Sequence, residues 1–426
     1  METAGSRAAN YDRRLMNTGS TASEREVEKT NSGTASPISS RRLGGLDGLR
    51  AVAATAVLMH HVGFNSGATF RQPSTNFLGR ADIGVPIFFV LSGFLLYRPF
   101  VGRLLDGGSA PQKGLFWLKR FLRVYPAYWV AMAVMLISGG IAVRGPFGLF
   151  FSGTLTHSYH MRRAISGITQ SWSLVTEIAF YVMLPFWHAA TVRLTRHRSI
   201  NERSAFALAA LAGLYASSVV FRVLIAVTNP QIRQITPQWF LGQSDIFALG
   251  MALALGQAWA KHNPRVRALI QNTSARIAWW YLGAAAAFWL MATQFDLAVG
   301  LTSTSTVNEV ARQFMYGIIS FALVLPIAWG GGLASRIGRV LDSGVFRYLG
   351  KVSYGIYLWH QWVLGKLMTL FGFDIFGGHF WVLTATTLAG SVVLAELSHR
   401  YIEQPLADLV PRLQRRNRHA IATLRA

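Results

Sequence analysis

Apolar runs of about 20 residues recur along this chain, separated by short polar stretches rich in Arg, Gly, Ser and Pro. Each run is long enough for a helix, rising about 1.5 Å per residue, to cross about 30 Å of hydrocarbon. The pattern predicts about ten helices, at 45–65, 81–99, 121–140, 168–190, 204–228, 239–259, 277–295, 311–330, 348–371 and 379–400. The expected fold class is therefore all-α, a polytopic membrane protein. Residues 1–42 are polar, with no apolar period, and read as a disordered cytoplasmic tail. A single transmembrane domain is expected over 43–405, with a basic cytoplasmic tail at 406–426. The longest loops on the opposite side, about 141–167 and 296–310, are too short to fold alone, and no internal repeat of the transporter kind is visible.

Composition agrees with a membrane protein. The 426 residues are 52% hydrophobic and 14% charged, against about 25% charged in an ordinary soluble domain. The net charge of +23 raises the question of nucleic-acid binding, and its distribution answers it. With the N-terminus in the cytoplasm, 31 of the 41 Lys and Arg fall on the cytoplasmic side and 7 on the other. That is the positive-inside bias expected of a cytoplasmic-membrane protein with both termini inside. The charge reports topology and contact with anionic lipid, not nucleic acid. Cysteine is absent, which excludes disulfides, thiolate nucleophiles and cysteine-ligated metals. Arg41 and Arg42 read as charges anchoring the first helix rather than as part of a cleavable signal.

The first predicted helix carries the densest chemistry. The 11 steps from Arg50 to His61 bring the helix back to within about 20° of its starting direction and place the imidazole roughly 16 Å deeper. Asp47 is three residues from Arg50, close enough to pair with it. An ionisable side chain at membrane depth is a functional-site hypothesis by default. His61 is the candidate general base, because imidazole is mostly neutral near pH 7. His60, about 80° off that line, reads as structural. Arg50, Arg120 and Arg123 are candidates for binding phosphates through guanidinium forks; positive-inside anchoring is the competing reading of the last two. Glu177 lies inside a predicted helix and must be paired, protonated or hydrated there. It is read as orienting an acceptor or a cationic partner, against a structural pair with Arg222 or Lys366. Trp172, Ser173, Tyr181, Trp359 and His360 are candidate substrate contacts, the aromatic ones by stacking on a sugar ring. Ser92-Gly93 reads as a close-packing pair rather than a nucleophile. Asp245 and Glu396 are buried acids without a role.

Five blocks stand above the apolar background. They are the Asp47/Arg50/His61 helix, Gly84-Val85-Pro86-Ile87-Phe88-Phe89-Val90-Leu91-Ser92-Gly93-Phe94, and Arg120-Phe121-Leu122-Arg123-Val124-Tyr125-Pro126. Ser171-Trp172-Ser173-Leu174 leading to Glu177, Phe180 and Tyr181 is the fourth, and Leu349-Gly350-Lys351-Val352-Ser353-Tyr354 with Leu358-Trp359-His360 is the fifth. In this order and spacing the chain, from about Leu46 to Pro405, resembles the acyltransferase 3 family of membrane acyltransferases. Arg50 and His61 match the family's arginine-to-histidine spacing, and Arg120 and Arg123 its Arg-x-x-Arg pair. Pro86 stands where relatives often carry aspartate, Ile178 follows Glu177 where a second glutamate is usual, and Gln361-Trp362 follow the Trp-His step.

The resemblance implies ten transmembrane helices and O-acylation of a sugar, glycolipid, cell-envelope polysaccharide or glycosylated metabolite. It implies acyl-CoA, expected to be acetyl-CoA, as co-substrate, with no tightly bound cofactor and no metal. The donor is expected to enter from the cytoplasm among Arg50, Arg120 and Arg123, its thioester reaching toward His61. His61 would act as base or carry the acyl group transiently, and the sequence leaves both open. A transporter or flippase for an anionic substrate, the other large family of membrane O-acyltransferases, and an inactive sensor with the same fold are the competing readings.

Overall fold

The computed structural model describes residues 45–71, 76–107, 111–160, 166–228, 235–294, 305–330 and 335–409. The predicted tail at 1–42, including Arg41 and Arg42, and residues 410–426 lie outside them. The described residues form helices and turns, with no strand among them. The long helices are α1 (Leu46–Asn65), α2 (Gly84–Asp106), α3 (Lys113–Ile137), α4 (Trp172–Thr195) and α5 (Ile200–Thr228). They continue with α6 (Phe240–Trp259), α7 (Ile277–Thr293), α8 (Thr306–Ala328), α9 (Ser353–Phe371) and α10 (Phe380–Ser398). Among the described residues seven helical stretches are long and apolar enough to cross a membrane. Helix α7 is shorter, and α1 and α9 are made more polar by Asp47, Arg50, His60 and His61, and by His360, Gln361 and Lys366. Helices α1 and α9, outside those seven, carry His61 and His360.

Several boundaries differ from the sequence pattern. Helix α3 begins at Lys113 rather than near 121, so Arg120 and Arg123 sit two to three turns inside it instead of opening it. Its early start is fixed by packing. Phe116 meets the buried Phe100 ring at 5.3 Å, and the Trp117 indole N–H donates to the Tyr181 carbonyl at 3.0 Å. Helix α2 runs on through Pro99 to Asp106. The expected helix at 348–371 is two helices, because Val352 separates Gly344–Lys351 from α9. Part of the expected loop at 141–167 is the short helix Gly145–Gly153, and α10 passes into a π-helical turn at His399–Glu403.

Close backbone contact replaces the hydrophobic drive that lipid cannot supply. Helices α2 and α6 make the most extensive contact in the bundle. A Cβ on Gly250 would collide with the Val90 carbonyl oxygen, and one on Gly93 with the carbonyl oxygen of Phe247. Small residues therefore set that crossing, in line with the packing role expected of Gly93. Helix α1 is held as closely, since a Cβ on Gly350 would strike the Asp47 backbone. Across the bundle Phe89, Phe180 and Phe247 stack with centroids 4.6 and 4.3 Å apart, locking α2, α4 and α6 together.

Gly250→Leu should force α2 and α6 apart and lower stability by about 1–3 kcal/mol or more. Thermal unfolding in detergent checks this: a lower midpoint is expected, and an unchanged midpoint would show that the crossing does not limit stability.

Candidate active site

Helices α1, α2, α3, α4 and α9 converge on one interior cavity. Arg50, Ser92, Arg120, Arg123, Ser173, Glu177, Tyr181, Tyr354 and Tyr357 bring their polar groups to its lining. Six sequence candidates, drawn from three helices, thereby share one chamber: Arg50, Arg120, Arg123, Ser173, Glu177 and Tyr181. Its volume is about 120 Å³. Asp47 remains exposed at the start of α1, whereas Arg50 turns into the cavity.

Glu177 is hydrogen-bonded by a serine, in a cavity that it shares with Arg50, Arg120 and Arg123. The Ser92 hydroxyl donates to its Oε1 at 2.7 Å. The expected alternative pair with Arg222 or Lys366 is corrected. Arg222 faces Glu309 at 3.5 Å and donates to the Gly242 carbonyl, while Lys366 donates to the Ser138 carbonyl at 2.8 Å. Ser92 therefore does more than permit packing, since it orients a carboxylate in the cavity. The Arg120 guanidinium lies 6.0 Å from the centroids of both Phe116 and Tyr181, within cation–π range. The Tyr354 hydroxyl fixes the start of α9 to α3 through the Val124 carbonyl at 2.8 Å. The Tyr357 hydroxyl lies 2.7 Å from Ser173 Oγ and donates to the Gln170 carbonyl at 2.7 Å.

The histidines sit next to this chamber without lining it. Phe88 and Tyr357 line the cavity and meet with centroids 6.2 Å apart, and His360 packs on Tyr357 at 5.9 Å. Arg50 and His61 share a helix face as the spacing predicts, but His61 meets His360 instead of the cavity.

Hydrogen bonding assigns the protons of this pair. His360 Nδ1 lies 2.8 Å from the Tyr357 carbonyl and 3.2 Å from that of Ile356. Carbonyls only accept, so His360 Nδ1 carries the hydrogen. His61 Nδ1 lies 3.0 Å from the Val57 carbonyl and 3.0 Å from His360 Nε2. It too must donate, and His360 Nε2 accepts. The chain runs from His61 Nδ1–H to His360 Nε2, and from His360 Nδ1–H to backbone carbonyls. It leaves His61 Nε2 as the nitrogen that can take up a proton, with its partner ring holding the tautomer. His360 is fully buried. His60 Nδ1 instead donates to the Leu78 carbonyl at 3.1 Å, the structural role expected of it.

The remaining aromatic candidates lie outside the cavity lining. Trp172 packs edge-on against Phe89 at 6.3 Å, and the buried Trp359 ring meets Trp362 at 5.8 Å. Tyr357 was not among the candidates, yet it touches both cavity and histidine. Its signal was its spacing, three residues before His360 and hence on a neighbouring helix face.

Comparison with known proteins agrees with these blocks. The family described as "Acyltransferase domain" matches residues 43–396. The peptidoglycan O-acetyltransferase OatA of Listeria monocytogenes is 24% identical over 85% of this chain and 55% of its own length. A putative peptidoglycan O-acetyltransferase, YrhL, of Bacillus subtilis is 26% identical over 86% of the chain and 55% of its own. Nodulation protein 10 of Rhizobium leguminosarum bv. viciae is 26% identical over 76% and 82%. The chain thus spans just over half the length of the first two relatives. No solved structure matches it. With the family match covering nearly all of the membrane domain and every block in it, the chain belongs to the acyltransferase 3 family.

Proposed function

We propose that this chain is an integral-membrane O-acetyltransferase that moves an acetyl group from acetyl-CoA to a hydroxyl of peptidoglycan or a similar envelope carbohydrate. The hydrogen-bond chain through His360 to His61 carries the reading, because it supplies a base nitrogen with a fixed tautomer inside an acyltransferase domain. Residues 43–405 would be the transferring unit in the cytoplasmic membrane, with both termini in the cytoplasm, as the basic bias favours.

In this mechanism His61 Nε2 removes the acceptor hydroxyl proton as the oxygen attacks the thioester carbonyl carbon. The carbon–sulfur bond then breaks, and the same nitrogen returns its proton to the leaving thiolate, giving an ester and free CoA. The imidazolium formed in between donates from Nδ1 to His360 Nε2 and the Val57 carbonyl. Arg50, Arg120 and Arg123 attract the anionic donor toward the cavity. Glu177, held by Ser92, accepts from an acceptor hydroxyl and orients it.

Purified protein in liposomes, given acetyl-CoA and peptidoglycan fragments, should release free CoA in step with ester formation; solute movement without CoA release would favour a transporter. Arg120→Ala and Arg123→Ala should each raise the donor KM by about tenfold, the worth of one charge-assisted hydrogen bond, with kcat little changed. Loss of insertion without a KM effect would instead make them topological anchors. His360→Phe should lower kcat at least about tenfold with the donor KM unchanged. His360→Gln, whose Oε1 can still accept from His61, should recover part of that loss. Equal activity in both variants would remove His360 from the mechanism.

A further inference from the structure

A second cleft opens where the C-terminal ends of α2 and α4 meet the starts of α3 and α5. Its volume is about 500 Å³, within the roughly 300–1,000 Å³ of small-molecule sites. Arg103, Lys113, Arg193 and Arg196 line it, and no acidic residue does. The nearest carboxylate by sequence, Asp106, is paired with Lys261 at 3.2 Å and His262 at 2.8 Å. Arg203, at the same cleft, is occupied in holding the carbonyls of Leu104, Arg196 and Arg198. One feature is unusual for a surface patch. His188 also lines the cleft, is only 4% exposed, and its Nδ1 has no hydrogen-bond partner among the described residues.

The interior cavity, at about 120 Å³, is smaller than that small-molecule range. The cleft lies next to it along two helices. Leu96 and Tyr181 line the cavity, while Phe100 and Pro185, one turn further along α2 and α4, line the cleft. Between them, Phe100 meets Phe116, over which Arg120 reaches from the cavity side. From His188 to Glu177 the rise along α4 is about 16 Å, a gap suited to an extended, uncharged arm.

Building on the proposed acyl-CoA donor, we propose that this cleft binds the phosphates of the donor's nucleotide end. Arg193, Arg196, Arg103 and Lys113 hold the phosphates, and His188 Nδ1 supplies a buried polar contact. The pantetheine arm passes Phe100 and Phe116 and enters among Arg50, Arg120 and Arg123, with the thioester directed toward His61. This divides the donor between two sites, leaving the interior arginines to act on the acyl end. An anionic lipid headgroup offers the same phosphate chemistry; the cleft's position one helical turn from the cavity on both α2 and α4 favours the donor.

The test uses the full-length protein in phosphatidylcholine nanodiscs, with and without phosphatidylglycerol, and calorimetric binding of CoA, dephospho-CoA and acetyl-pantetheine. The exposed pair Arg193→Ala/Arg196→Ala should weaken CoA binding by about tenfold or more. It should weaken dephospho-CoA binding less and leave the binding of acetyl-pantetheine, which has no phosphate, unchanged. His188→Leu should weaken CoA binding too. Unchanged CoA affinity in the double variant overturns the cleft assignment while leaving the acyl-CoA reading intact. Unchanged CoA affinity together with lost phosphatidylglycerol retention makes the cleft a lipid site. No CoA binding by the unaltered protein overturns both the cleft assignment and the donor reading.

Discussion

A polar ring nitrogen inside an apolar bundle must find its partner within the protein, because an unmade hydrogen bond there costs several kcal/mol in the reference case of transfer to hydrocarbon. That constraint organises the histidine pair. His360 Nδ1 is committed to backbone carbonyls of its own helix, so its Nε2 can only accept, and His61 Nδ1 must donate to it. A single nitrogen, His61 Nε2, is left for chemistry.

The same logic explains how the bundle is built around the site. Glycines at the α2–α6 crossing and at the start of α1 bring backbones into contact. The stacked Phe89, Phe180 and Phe247 then fix the helices that carry Ser92, Glu177 and Tyr181. Charge is arranged by depth. Three arginines line an interior cavity beside one carboxylate held by a serine, whereas the exposed Lys113, Arg193 and Arg196 gather in an outer cleft whose lining includes no acidic residue.

The class of fold and the face shared by Arg50 and His61 were legible because helical period and span length act locally along the chain. The early start of α3 was not. Lys113, Lys119 and Arg120 make that stretch look like a loop, whereas Phe116 and Trp117 pack it on other helices. Glu177 was visible as an acid that must be paired, protonated or hydrated, though not as the partner of Ser92, 85 residues away. His360 was visible as a candidate, though not as the partner of His61 across 299 residues. Such pairings depend on tertiary packing, which no local pattern encodes.

The central claim is that the imidazole of His61 takes the proton in acyl transfer. Single-turnover ester formation by the purified His61→Gln protein, alongside direct donor binding, tests it most directly. Transfer should slow by roughly 10²–10⁴-fold, the usual contribution of a general base, with donor affinity retained. Transfer at the rate of the unaltered protein would contradict the account.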